Sequence, residues 1–239
     1  MKLRLVALVV AAAAVAGCGG ASSGDASGTV TLWVTRDRGA HVLVDARVDA
    51  GQTALQALDR KADLETRYGG RYVQSVDGLS GSLGRRVDWF YFVNGIEADR
   101  SAAEYRLRPG DVVWFDYRAW RGRMSQPVVV GAFPEPFVHG FGGKRRAAVV
   151  QYGSGFRAVA RQLAARIGGR AVACCRRVDP ELNLLVVRRP RRSGSEVFRA
   201  ERRSAGGADA PVRFVLAAAP ERVDDVVHAA RRRYAWTGS

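Results

Sequence analysis

Trp89-Phe90-Tyr91-Phe92-Val93-Asn94-Gly95 decides how the first half of this chain folds. Asn-Gly is the strongest two-residue hairpin signal, because both residues tolerate a positive φ. The five residues before it are aromatic or β-branched and read as a strand running from Arg86 to Val93. Strand alternation puts Val87, Trp89, Tyr91 and Val93 on one side and Phe90 and Phe92 on the other. Both sides are apolar, the pattern of a central strand covered on two faces.

Further β-rich runs lie on either side. Upstream, Val30 to Val34 and Val42 to Val44 flank the turn-like Arg36-Asp37-Arg38-Gly39 and read as a hairpin. Ala54, Leu55, Leu58 and Ala62 recur at helical spacing, with Thr53 or Asp49 near the cap, and the helix is expected to end by Gly69-Gly70. Tyr72 to Val76 is a strand, followed by the turn Asp77-Gly78. Downstream, Arg108-Pro109-Gly110-Asp111 turns the chain into Val112 to Tyr117. The order β-β-α-β-β-β, strands around one helix, predicts an α+β, β-grasp-like arrangement.

The second half reads differently. From Thr29 to Trp120 there are 13 basic and 13 acidic residues; from Arg121 to Ser239 there are 23 basic and nine acidic. The polar joint Arg121 to Pro127 separates them, so the expectation is residues 29–120 as one domain and 121–239 as a basic α/β sandwich domain. Pro127 to Val130, Ala147 to Val150, Leu182 to Val187 and Val212 to Leu216 read as strands. Phe156, Val159, Ala160, Leu163, Ala164 and Ile167 form an amphipathic stripe stopped by Gly168-Gly169. A last helix begins near Pro220, with Val223, Val226, Val227, Ala230 and Tyr234 on its buried side.

The first residues read as an address rather than as fold. Met1 to Arg4 is basic and Leu5 to Ala16 is apolar but too short to span a bilayer. The run ends in Val15-Ala16-Gly17-Cys18, which resembles the bacterial lipobox. The resemblance implies a signal peptide over 1–17, acyl chains of the palmitate kind on Cys18, and a chain held on the extracytoplasmic face of the cell membrane. Residues 18–28, rich in Gly, Ser and Ala, read as a flexible tether.

Gly51-Gln52-Thr53, Gly70-Arg71-Tyr72-Val73, Val76-Asp77-Gly78-Leu79, Trp89 to Gly95 and Arg108-Pro109-Gly110-Asp111 stand in an order that resembles the transcobalamin-like C-terminal domain. That domain also occurs alone in bacterial envelope lipoproteins. The similarity runs over about 90 residues, roughly Thr29 to Tyr117. It implies a ligand-binding module, with a cobalamin-like ring or another small molecule held against Trp89, Tyr91, Asn94, Trp114 and Tyr117. The helical partner domain of cobalamin carriers has no counterpart here, which leaves one ring face for a second protein such as a membrane transporter. The residues themselves leave core packing open for Trp89 and Tyr91 and turn geometry open for Asn94; Trp114 and Tyr117 are expected to be partly exposed.

Composition narrows the rest. The chain carries 38 Lys and Arg against 23 Asp and Glu, and all but three of the basic residues are Arg. Arg188-Arg189-Pro190-Arg191-Arg192 and Arg231-Arg232-Arg233 suit an anionic envelope polymer or lipid headgroups; an exported chain meets no nucleic acid. Gly153-Ser154-Gly155 lacks the Lys-Ser/Thr of a P-loop and the Gly-x-Ser-x-Gly of a nucleophile elbow. Cys174-Cys175 is either two thiols or a vicinal disulfide, without the spacing of a zinc site. No acid, base and nucleophile assemble into a catalytic set, so the expectation is a non-enzymatic binding module with no metal, and the alternative is a structural envelope protein with no small ligand.

Overall fold

The computed structural model describes residues 27–174, 176–192 and 194–238. The expectations for the signal peptide, Cys18, most of the tether, and Cys175 lie outside them. The fold is mixed, mostly strands in three sheets with few helices, in keeping with the α+β expectation. No described helix is long and apolar enough to cross a membrane.

Residues 29–119 supply two of the sheets. β1 (Thr29–Arg36) and β2 (His41–Asp49) form the expected hairpin. α1 (Ala54–Asp59) follows, then β3 (Leu64–Arg67), β4 (Tyr72–Val76) and β5 (Leu79–Ser80), which make a small three-stranded sheet. β6 (Val87–Val93), β7 (Ile96–Glu97) and β8 (Val112–Ala119) join the hairpin in the order β2-β1-β8-β6-β7, with β1 and β8 parallel. Asn94 and Gly95 take φ of 53° and 74°, and Val93 faces Ile96 across them, so the predicted two-residue turn is there.

α1 is shorter than its apolar spacing suggests. Thr53 caps it with a reciprocal box to Gln56, but the helix stops at Asp59 and Leu64 pairs with Val76 instead. Asp63 and Asp77 close that pairing: the Asp63 N–H donates to the Asp77 carboxylate at 2.8 Å, and the Asp77 N–H donates back to the Asp63 carbonyl at 2.8 Å. A strand partner twelve residues away overrides local helical spacing.

The main sheet is covered on both faces, as the alternation in β6 requires. On one face Val30, Leu32, Val34, Val93, Val113 and Phe115 pack with Ala54, Ala57 and Leu58 of α1. On the other, Trp33, Phe92 and Trp114 pack with Val129, Ala132 and Tyr234. The cover on this second face comes from the far half of the chain.

That half builds a six-stranded sheet. β9 (Ala148–Tyr152), α2 (Arg157–Arg166), β10 (Arg170–Ala173), β11 (Asn183–Arg188), β12 (Val197–Arg202), β13 (Val212–Ala217), α3 (Val223–Ala229) and β14 (Trp236–Thr237) run in chain order. The sheet order is β10-β9-β11-β13-β12-β14, parallel through β13 and antiparallel beyond. α2 carries the expected stripe, with Ala160, Leu163 and Ala164 buried. Phe133 and Phe137, from the two-proline loop, wedge against Phe198 and Phe214 with ring centroids 5.5 and 5.0 Å apart. Pro127 to Val130 is not a strand: Val128 makes a single bridge to Ile96, the Val129 N–H donates to the Gly95 carbonyl and the Val130 N–H to that of Tyr234.

One buried carboxylate ties the halves together. Asp116 is fully buried and accepts from the Thr35 hydroxyl at 2.5 Å, the Arg38 and Gly39 N–H groups at 3.1 Å each, and the Tyr234 hydroxyl at 2.9 Å. Burial raises its carboxyl above the usual range, and the four donors oppose that rise.

Two outcomes follow. Tyr234→Phe removes a donor to a charged acceptor and costs about 1.5–3 kcal/mol near neutral pH. Losing that donor raises the folded-state Asp116 further above its unfolded value, and stability held by a raised carboxyl is lost as pH rises. Urea titrations should therefore show a small deficit near pH 4 that grows toward pH 7. Gly95→Val places a β-branched residue at φ 74°, where its Cβ meets the Val129 carbonyl oxygen at 2.9 Å. It should cost about 1–3 kcal/mol in the same assay.

Candidate functional site

β7 pairs with Phe92 and Val93, the Tyr91 carbonyl accepts from the Ala98 N–H and Val87 bridges Ser82, so among the described residues it is the stretch around Trp89 that has no strand partner on this edge of β6. The Trp89 N–H, which points out of the ladder there, donates to its neighbour Asp88 at 2.8 Å. Along this edge runs a cleft of about 420 Å³. Its aromatic side is Trp89, Phe90, Tyr91, Phe115 and Trp120, and Tyr72 and Met124 stand at its sides.

Each wall is braced from behind. Trp89 is nearly buried; its indole N–H donates to the Leu79 carbonyl at 2.7 Å and its ring lies 5.3 Å from Tyr117. Tyr91 stacks on Phe115 at 5.3 Å, and its hydroxyl donates to the Arg100 carbonyl at 2.6 Å. Burial raises the Tyr91 phenol well above its ordinary value, so it stays a neutral donor. The Tyr72 phenol is raised as well, first by burial and then by its hydrogen bond to the Asp88 carboxylate.

The polar groups at the rim are already committed. Arg100 pairs with Asp99 at 2.8 Å and Arg71 with Glu104 at 3.5 Å. The Ser101 hydroxyl donates to the Arg71 carbonyl at 2.6 Å. What the cleft offers a ligand is therefore chiefly π-faces and apolar area.

Of the residues expected from sequence, Trp89 and Tyr91 line this cleft and the other three do not. Trp114 corrects the expectation of partial exposure: it is 1% exposed, with Tyr234 and Trp33 edge-on at 5.6 and 5.9 Å and its indole N–H donating to Thr35. The cover comes from a tyrosine 120 positions further on, which strand alternation could not supply. Asn94 is fully buried. Its amide donates to Asp111 and to the Gly140 carbonyl, both at 2.7 Å, and its oxygen accepts from the Val112 N–H. It is more than a turn residue, since it links β6 to the loop after residue 139. Tyr117 is half-buried and donates to the Ser80 carbonyl, behind Trp89 rather than in the cleft.

Phe90, Phe115, Trp120 and Tyr72 are the cleft residues that sequence reading missed. A detectable signal existed for one of them: Tyr72 shares the quoted Gly70-Arg71-Tyr72-Val73 segment with the strand that flanks β6.

A larger depression of about 630 Å³ lies between Trp33, Phe133 and α3. Its walls mix buried apolar residues with exposed charged ones, including Arg166, Asp224 and Arg231, and Trp33 and Phe133 are its two aromatic residues. Among the described residues, no group of three or more His, Cys, Asp or Glu could hold a metal ion. The best-formed ionisable pair is Glu135, 4% exposed, which accepts from the His139 ring at 2.5 Å and from its N–H at 2.9 Å.

Residues 51–119 match the domain of unknown function DUF4430, a span from α1 through β8 that includes most of the cleft. Among solved structures, the chain is similar to haptocorrin in complex with Cbi, at 18% identity and a TM-score of 0.33, over 39% of this chain and 25% of that one. It is also similar to a protein of Ruminococcus gnavus ATCC 29149 described as a "putative metal binding protein", at 17% identity and a TM-score of 0.32, over 38% of this chain and 97% of that one. The chain thus spans about a quarter of the haptocorrin chain. No curated protein matches it.

Proposed function

We propose that this chain is a membrane-anchored, extracytoplasmic lipoprotein that binds a planar, largely apolar small molecule without transforming it. The observation that carries the binding reading is the convergence of Trp89, Tyr91, Phe115 and Trp120 on one open cleft of about 420 Å³. That volume sits within the roughly 300–1,000 Å³ of small-molecule sites. The rim arginines, serine and tyrosine are held by partners of the chain itself, which suits binding better than turnover.

The resemblance of Trp89 to Gly95 and its flanking turns to the transcobalamin-like domain supports a corrinoid or related tetrapyrrole as the ligand class. A cleft of this size takes an edge or one face of such a ring, not the whole molecule. One-sided contact gives up much of the apolar area that a closed site would bury, and roughly micromolar affinity is expected.

Calorimetric titration of residues 19–239, which contain every described element, tests this with corrinoids and heme-like tetrapyrroles. A saturable heat accompanied by tryptophan quenching is expected, since Trp89 and Trp120 both line the cleft. Trp120→Ala, which removes a half-buried wall outside the sheet core, should weaken binding about tenfold without moving the unfolding midpoint. Silence in both signals at near-millimolar ligand defeats the ligand class.

Anchoring rests on the lipobox-like Val15-Ala16-Gly17-Cys18. Each buried CH₂ of an acyl chain contributes about 0.8 kcal/mol, and two or three chains make the attachment durable. Cys18→Ser should release the protein from the membrane fraction or leave it unprocessed. Normal processing with full membrane retention of that variant, followed by fractionation and blotting, defeats the anchor.

A further inference from the structure

Large apolar side chains exposed among the described residues number six: Val42, Leu43, Tyr68, Tyr72, Leu83 and Met124. Scattered singly, such residues need no explanation. Four of them are not scattered. Tyr72, Leu83 and Met124 all line the mouth of the aromatic cleft, and Tyr68 meets Tyr72 edge-on at 6.2 Å. Leu83 is 82% exposed, Tyr68 79% and Met124 59%. They sit on three separate turns: Tyr68 between β3 and β4, Leu83 between β5 and β6, and Met124 beyond β8.

The surrounding charge has a sign. The Arg85 guanidinium donates to the Ser80 carbonyl and the Arg121 guanidinium to the Arg85 carbonyl, both at 3.4 Å, which places two cations beside Leu83. Arg67 stands across from Tyr72 in the β3–β4 pairing. None of these three has an acidic partner among the described residues; of the nearby acids, Asp99 pairs with Arg100 and Glu104 with Arg71, and Asp88, bonded to the neutral Tyr72 hydroxyl, leaves one carboxylate against three unpaired cations. The mouth is a set of apolar and phenolic tips inside a net-basic rim.

We infer that this mouth seats on an anionic bilayer surface, so that the cleft opens into the lipid interface. Tyrosines and aliphatic tips partition into the headgroup boundary, and arginines around them are drawn to anionic lipid. Separate tips on three turns suit insertion between headgroups better than docking against a flat protein face. The inference rests on the binding and anchoring reading above, and the geometry of the chain allows both together. β1 and β8 are parallel, so the chain enters the sheet at the end opposite Met124. β8 has eight residues and spans about 26 Å, while the ten residues that follow Cys18 in the tether reach about 35 Å when extended. The tether can therefore run past the sheet and leave the mouth facing the membrane. The ligand would then be a molecule already partitioned into lipid.

Co-sedimentation of residues 19–239 with phosphatidylcholine vesicles containing about one third phosphatidylglycerol is the test. Binding is expected, weakened by salt. Leu83→Asp combined with Met124→Asp should lower the bound fraction at least tenfold, with an unchanged unfolding midpoint because both side chains are exposed. Val42→Asp combined with Leu43→Asp, on the β2 edge, should bind as the parent does. No binding, equal binding by the mouth variant, or loss only in the β2 variant overturns the inference. So does a concentration-dependent dimer in sedimentation velocity that the mouth variant abolishes, which would assign the patch to a second copy. Tetrapyrrole titration of the unsubstituted residues 19–239 separates the two readings: cleft binding without vesicle binding sinks only this one, and vesicle binding without any tetrapyrrole sinks only the ligand class.

Discussion

Asp116 is a full carboxylate buried in the middle of a strand, and the arrangement around it depends on keeping it solvated by protein. At 0% exposure bulk solvent does not reach it, and four donors from three parts of the chain solvate it instead. Two come from the turn that joins β1 to β2, one from β1 itself, and one from Tyr234 near the chain's end. Charge-assisted bonds of this kind are roughly twice as strong as neutral ones. Removing the carboxylate would leave several donors unpaired, which costs more than the bonds themselves contribute. Next to it, Arg118 is a second buried charge, with its guanidinium 3.6 Å above the Phe90 ring and bonded to the Arg123 and Met124 carbonyls. Both groups lie on β8, and both hold later segments of the chain onto the same sheet face.

This sheet face explains why the aromatic residues divide as they do. Trp33, Phe92 and Trp114 point toward Tyr234 and are sealed. Trp89, Tyr91 and Phe115 point the other way, toward the α1 side, where the cleft reaches them along the β6 edge. The same strand thus contributes core on one side and a binding wall on the other. The separation is a matter of one residue's step along β6, since successive side chains alternate.

What was legible in the sequence is what local chemistry controls. Asn94-Gly95 made its turn, Thr53 its cap, and the Phe156 to Ile167 stripe its helix, because each is decided by neighbours within a few positions. Trp89 and Tyr91 could be nominated for the cleft from the motif they share. Trp114 was misjudged, and Phe115 and Trp120 were passed over, because burial there is set by which distant segment lands on which face. β3 was hidden for a similar reason: Glu65-Thr66-Arg67 carries no apolar alternation and is a strand only because β4 is beside it. The short β10, β12 and β14 are sheet members by pairing rather than by composition.

The bond from Tyr234 to Asp116 spans 118 positions. Contacts so distant in sequence must wait for loop closure and form late. Until Tyr234 is in place, Trp33, Phe92 and Trp114 have only Val129 and Ala132 as cover, and part of their aromatic face stays bare. Synthesis from the N-terminus therefore yields the binding half long before it yields the half that makes it sticky no longer. Removing Tyr234 would leave every residue of the cleft in place and take away the aromatic part of the seal behind it.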